Sequence, residues 1–336
     1  MEPKDYSGVW ILGEQSGGKV SPISFELLTR GRELADKRGT ELTAVVLGDK
    51  VEQAGLDELI ARGADRVLVM ESPQLAHFLV EPYSACLAQL IGQRRPEILI
   101  AGATSTGRTV MPYLAVKIHT GLTADCTVLD IEPGTGNLLQ TRPAIGGNIL
   151  ATIKTPRHRP QMATVRPRST KPAPHQDGRK GSIERLKASP DLLASRVKRV
   201  GFVADQAEHG LQDADVVVAV GRGIKKGENL AVARKLADAL GAALGASRDV
   251  VDRGWMSYPH QIGLSGKTVS PRLYVAVGVS GSIQHLAGMQ TSENIIAINS
   301  DPDAQIFRVA DVGLVGNLFD ILPVLTSRIA ARKAKG

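Results

Sequence analysis

Three short apolar runs near the end of the chain constrain its fold most: LYVAVGV from Leu273, IIAIN from Ile295 and VGLVG from Val312. None alternates polar with apolar residues, and each stops at small or polar ones. Strands buried on both faces of a parallel sheet read as such near-continuous runs, because other elements cover both sides. The first run passes directly into Ser280-Gly281-Ser282-Ile283-Gln284-His285. A small, hydroxyl-rich turn between strand and helix leaves backbone N–H groups unpaired, and these can hold phosphate. Open α/β sheets bind ligands at this carboxyl end of their strands.

The N-terminal half alternates in the same way. GVWILGE, LTAVVLGD, RVLVME and EILIAGAT read as strands. Helical spacing falls between them in ISFELLTRGRELADKRG, VEQAGLDELIARGA and LAHFLVEPYSACLAQLIGQRR, and again through VMPYLAVKIHTG. This βαβα order predicts a parallel sheet with right-handed crossovers. After Gly121 come short strands, TADCTVLD, LLQTRPAIG, NILATIKT and MATVRP, which predict an antiparallel or mixed edge to that sheet. RPRSTKPAPHQDGRKGS reads as a surface loop, and SPDLLASRVKRVGFVAD as a helix. The second domain opens with DVVVAVGRG and the helix NLAVARKLADALGA. The expected division is residues 1–204 and 205–336, a size that gives each domain a core of normal extent.

No apolar run approaches the ~18 residues needed to cross a bilayer. MEPKDYSGVWILGEQ carries acids early and does not read as a signal peptide. Cys86 and Cys126 are the only cysteines, so neither a disulfide framework nor a metal knuckle is expected. Buried thiols in a reducing cytoplasm fit best. The net charge of +7 invites a nucleic-acid reading, but residues 166–200 hold ten basic and three acidic residues, the entire excess. Few aromatics accompany them, so this stretch reads as a solvated connector or a contact to an acidic partner, with no nucleic acid.

Other constellations are weaker. GATSTGR at residues 102–108 lacks dinucleotide-fingerprint spacing. Ser16-Gly17-Gly18 lacks the acid that an ATP-pyrophosphatase loop would place soon after. Seven histidines form no HxxxH or HxH pair, so no metal site is expected. His77, His119, His158, His175 and His209 read as surface or capping residues. His285 stands in a first helical turn, which disfavours imidazolium and predicts a neutral ring. Arg222, Arg248 and Lys267 sit beside Gly221, Gly223, Ser247 and Gly266, where they read as ligand contacts or as solvated charges.

Several of these motifs, with Gly227-Glu228-Asn229, Ser247-Arg248, Gln261-Ile262-Gly263-Leu264-Ser265-Gly266-Lys267, Leu273-Tyr274, Ala297-Ile298-Asn299 and Ala310-Asp311, resemble the electron transfer flavoprotein alpha subunit, and the resemblance covers essentially the whole chain. It implies two three-layer α/β/α domains with mainly parallel sheets, the second a flavodoxin- or Rossmann-like FAD-binding fold. Its implied FAD contacts are Arg222, Ser247, Arg248, Gln261, Ile262, Gly263, Leu264, Ser265, Ser280, Gly281, Ser282, Ile283, Gln284, His285, Asn299, Asn317 and Leu318. It further places His285 near the pyrimidine end of the flavin and makes the first domain scaffold and subunit interface. Ser265 stands where threonine is common in that family, Leu264 where glutamine is, and Asn317 where aspartate is.

The resemblance implies an electron carrier paired with a beta subunit. Its partners would be an acyl-CoA or other flavin dehydrogenase and an acceptor flavoprotein, ferredoxin or quinone oxidoreductase. Gly121-Leu122-Thr123-Ala124-Asp125-Cys126-Thr127, Thr141-Arg142-Pro143-Ala144-Ile145-Gly146-Gly147-Asn148 and Arg159-Pro160-Gln161-Met162-Ala163-Thr164-Val165-Arg166-Pro167 look most like the anaerobic branch, which includes flavin-bifurcating members. Two other classes compete. A stand-alone NADH-dependent flavin reductase would need a nicotinamide fingerprint, and none is present. A non-redox adenine-dinucleotide module would purify colourless.

Overall fold

The computed structural model describes residues 5–143, 150–201, 210–212 and 214–333. The chain divides into two compact units, Met1–Gly201 and Phe202–Gly336.

The first unit runs β1 (Val9–Gly13), β2 (Gln15–Ser16), β3 (Lys19–Val20), α1 (Ile23–Arg38), β4 (Leu42–Gly48), α2 (Gln53–Ala61), β5 (Arg66–Glu71), α3 (Val80–Arg94), β6 (Ile98–Gly102), α4 (Ser105–Lys117), β7 (Leu122–Cys126), β8 (Val128–Ile131), β9 (Leu138–Pro143), β10 (Leu150–Ile153), β11 (Gln161–Val165) and β12 (Ser182–Lys187). Its main sheet has the order β12-β5-β4-β1-β6-β11-β7. All of its pairings are parallel. The period-2 alternation of a strand separates two cores. Val9 and Ile11 of β1 join Leu27, Leu28 and Leu34 of α1 on one face. Trp10 and Leu12 join Leu87 of α3 and Met111 of α4 on the other. This is the expected three-layer arrangement.

Four expectations need correction. The antiparallel strands are not an edge of the main sheet: β8, β9 and β10 form a sheet of their own. β7 and β11 continue the parallel sheet instead, and β12 closes its other edge from a stretch that the sequence reading assigned to no element. The helix expected from Leu75 begins only at Val80, after a 3-10 turn at Pro73–Leu75. The helix expected over residues 189–205 shrinks to a 3-10 turn at Pro190–Leu193, with residues 202–205 outside the described set. Glu81 supplies the reason. Its carboxylate accepts from Ser195 Oγ (3.0 Å), Arg196 N (2.7 Å) and Arg196 Nε (2.6 Å), pulling the chain out of helical hydrogen bonding.

The basic stretch is correspondingly tied down rather than free. Arg166 pairs with Asp125, Arg179 with Asp65, Arg185 with Glu71 and Arg196 with Glu81, at 2.6–2.7 Å.

The second unit runs β13 (Val216–Val220), α5 (Leu230–Leu240), β14 (Ala243–Ala246), α6 (Arg248–Asp252), β15 (Leu273–Val277), α7 (Ile283–Leu286), β16 (Ile295–Asn299), β17 (Val312–Val315) and α8 (Leu318–Lys333). The parallel strand order β14-β13-β15-β16-β17 is the flavodoxin-like order 2-1-3-4-5. On one face, Leu236 of α5 and Leu322 of α8 pack against Val218 and Val275. On the other, Val217, Tyr274 and Ala276 meet Ile262, Met289 and Ile306, contributed by loops and short turns. The third apolar run departs from the buried pattern: β17 is an edge strand exposed along its whole length.

Candidate functional site

In the order 2-1-3-4-5, the chain reverses direction across the sheet between β13 and β15, and the loops after these strands define a crevice. Here the two loops are joined. Gly221 N donates to the Val277 carbonyl (2.8 Å) and Gly223 N to the Gly278 carbonyl (3.0 Å). A Cβ on Gly221 would lie 2.2 Å from the Gly278 oxygen, so only glycine permits this approach.

An open cavity of about 750 Å³ lies at this point. Arg222, Ser247, Arg248, Gln261, Ile262, Gly263, Leu264, Ser265, Ser280, Ser282, Gln284, His285 and Asn299 line it. These residues come from positions as far apart as 222 and 299, and the sequence reading had named all of them. Four others named with them stand outside the lining. Ile283 is exposed. Gly281, at φ +82°, packs its backbone on Gln305–Ile306, where a Cβ would lie 2.2 Å from Ile306 N. Asn317 is turned to its own helix: its Oδ1 accepts from Phe319 N and its Nδ2 donates to Asp320. Leu318 is buried in the α5–α8 core. Lys267 does not line the cavity either; its backbone pairs with Gln261 and Gly263.

The sequence reading missed Asp249, Asp252, Asp301, Ala304, Gly223 and Gly278. The carboxylates matter. Arg248 Nε lies 3.2 Å from Asp252 Oδ2, and Arg222 Nη1 lies 3.5 Å from Asp249 Oδ2. The signal was the spacing Arg248 to Asp252, an i,i+4 pair, hidden in a helix of only five residues. The observed order is helix, strand, then the short helix α6, with Ser247 preceding it. Both arginines are about 70% exposed, so these pairs hold them weakly and leave them available.

The loop 261–267 is hooked to its neighbours. Ile262 N donates to the Ala246 carbonyl and Leu264 N to the Gln284 carbonyl. Gln261 Nε2 donates to Ser265 Oγ (3.0 Å), and Tyr258 Oη donates to the Ser265 carbonyl (2.7 Å). Asn299 Nδ2 donates to the Val279 carbonyl. The N–H groups of Ser280, Gly281, Ser282, Ile283 and Gln284 have no acceptor among the described residues. Five successive free donors at the end of a strand form a natural anion seat.

His285 is 4% exposed. Its Nε2 lies 2.9 Å from Tyr274 Oη, and its Nδ1 is buried without a hydrogen bond of good geometry. Burial pushes its pKa down to about 4, against a weaker opposing pull from the Ile262 backbone. Burial therefore favours the neutral ring, a cause other than the helical position from which the sequence reading expected it.

Comparison with known proteins decides the family. The electron transfer flavoprotein domain matches residues 9–191, and the electron transfer flavoprotein FAD-binding domain matches residues 210–290. The chain belongs to the electron transfer flavoprotein alpha-subunit family. An electron transfer flavoprotein subunit alpha from Thermoanaerobacterium thermosaccharolyticum is 46% identical over 98% of this chain and 99% of its own. One from Clostridium acetobutylicum is 45% identical over 98% and 99%. The subunit LctC of a lactate dehydrogenase (NAD(+),ferredoxin) from Acetobacterium woodii is 40% identical, covering 96% of this chain and 77% of its own.

The cavity fits the family's FAD. Free N–H groups at residues 280–284 suit a pyrophosphate, two loosely held guanidinium groups suit a ring that becomes anionic, and a buried imidazole nitrogen awaits a partner. Among the described residues, no group of three or more His, Cys, Asp or Glu could hold a metal, and no helix is long and apolar enough to cross a membrane.

Proposed function

We propose that this chain, as an electron transfer flavoprotein alpha subunit, seats FAD in the β13–β15 crevice and passes electrons between a flavin dehydrogenase and an acceptor. The row of unpaired N–H groups from Ser280 to Gln284 carries the reading, because nothing in the described fold uses them. When bound, FAD supplies the redox chemistry through its isoalloxazine ring. The chain's own residues do the rest. Ser280, Ser282 and Gln284 hold the pyrophosphate, with Gly281 shaping the turn that presents their N–H groups. Arg222 and Arg248 set the positive potential at the ring, because a guanidinium keeps its charge and stacks on planar groups. Gln261 orients the Ser265 hydroxyl, and Leu264 presents an apolar wall where it is exposed.

The first unit serves as scaffold and subunit interface: Gln15–Ser16 and Lys19–Val20 form a small hairpin, and residues 105–108 open α4. Thr104 there caps α4 by accepting from Gly107 N (3.1 Å). The domain boundary falls near residues 201–205, and the working complex is a one-to-one heterodimer with a beta-type subunit in the cytoplasm. Co-expression with a beta-type subunit tests this. A yellow heterodimer carrying FAD is the expected product, and a colourless chain that never binds FAD would refute the reading.

The relative named for both NAD(+) and ferredoxin favours a second reading of the same complex, in which NADH is oxidised at a beta-subunit flavin. NADH-dependent ferredoxin reduction by the reconstituted heterodimer with its dehydrogenase tests it.

A further inference from the structure

We propose that Tyr274 is a positioning residue for the cavity: its phenol donates to His285 Nε2 and fixes the ring as the tautomer whose proton is on Nδ1. The observation is the 2.9 Å contact between Tyr274 Oη and His285 Nε2, made where both side chains are buried. Either group could donate, so the choice rests on what each arrangement leaves unpaired.

If Nε2–H donated to the phenol oxygen, the phenol hydrogen and the Nδ1 lone pair would both be buried without partners. If the phenol donates, only Nδ1–H remains, and it lies beside the Ile262 backbone, the group that favours a proton on the ring. One orphan is cheaper than two in a low-dielectric site. The phenol does not ionise away this role, since burial holds its pKa well above the usual value. The geometry is also rigid. Tyr274 sits on the central strand β15, in register with Val217 of β13 and Ile295 of β16. His285 is anchored by its own N–H to the Ser282 carbonyl at 2.9 Å.

The consequence, which rests on the FAD reading above, is a division of labour. His285 faces the cofactor site as a fixed ring without charge, its remaining proton held beside the Ile262 backbone. Positive charge in the lining comes from Arg222 and Arg248.

The test uses the FAD-loaded heterodimer labelled with nitrogen-15 histidine, the His285 signals being assigned by their loss in His285→Gln. A protonated Nδ1 and a bare Nε2 are expected. Tyr274→Phe should release the constraint, giving mixed or reversed tautomers and a shifted FAD midpoint potential. A wild-type proton on Nε2 overturns the proposal, as does an unchanged tautomer in Tyr274→Phe. Should that variant fail to fold, ring-fluorinated tyrosine keeps the shape while strengthening the donor. The Nε2 resonance should then move toward its protonated value, and movement the other way overturns the proposal. The expected tautomer in a heterodimer that carries no FAD supports the role of Tyr274 and refutes the FAD reading alone.

Discussion

Replacing Arg248 with alanine separates a redox-tuning arginine from a surface ion pair. Arg248 is 71% exposed and its Asp252 partner 60%, so losing their pair should cost the fold only ~0–1 kcal/mol. Its effect on a neighbouring anionic ring is larger. A unit charge ~4 Å from another is worth ~1 kcal/mol in water and ~4 kcal/mol at an effective dielectric of ~20. At ~59 mV for each tenfold change in a one-electron equilibrium, this becomes ~40 to ~170 mV. The exposure of Arg248 places the expectation near the lower end. Arg248→Ala should therefore lower the first reduction potential of bound FAD by several tens of millivolts. FAD should stay bound, because Arg222 and the 280–284 donors are untouched. Stepwise reductive titration of wild-type and variant heterodimers at equal ionic strength reads the shift directly. Asp252→Asn supplies the opposite arm and should raise the potential. An unchanged potential in Arg248→Ala would refute the reasoning and leave only the surface pair.

Gly281→Val should lose FAD together with thermal stability, because its φ of +82° and the 2.2 Å approach to Ile306 N strain the turn itself; a stable variant that still binds FAD would contradict this. Burial raises the Glu14 carboxyl above its usual pKa, opposed by the Thr104 hydroxyl, which lies 2.6 Å away. The folded state holds that proton more tightly, so this contribution is fully present below the ordinary carboxylate value and is lost as pH rises through the raised one. Glu14→Gln should flatten that part of the stability profile in denaturant titrations from pH 4 to 8. Glu81→Gln should free Ser195 and Arg196 and speed tryptic cleavage after Arg196, measured against total digestion of the chain.

The parallel sheets were legible because most of their strands are buried on both faces and read as near-continuous apolar runs, with β12 and β17 the exceptions. The cavity lining was legible because its residues lie in compact motifs immediately after strands. What escaped was non-local. Nothing in SIERLK announces that β12 will pair with β5, since it is mostly polar and joins the sheet across more than a hundred residues. Nor does SPDLLASRVKR reveal that Glu81, far upstream, unwinds its helical tendency. Asn317 and Leu318 stand outside the lining, where helix capping and core packing leave the same local pattern as a ligand contact. Asp249 and Asp252 were missed because α6 has only five residues, too few for periodicity to show.

The edge strand β17 has a consequence for handling the chain alone. Val312, Leu314 and Val315 are 51%, 38% and 59% exposed on a strand whose outer hydrogen-bonding edge has no neighbouring strand among the described residues. Such an edge is a template for intermolecular strand addition. The isolated subunit should therefore self-associate with rising concentration, visible by light scattering, and Leu314→Lys should suppress it. Purification yield then reports on how fast that edge is shielded after synthesis, as much as on how well the chain folds.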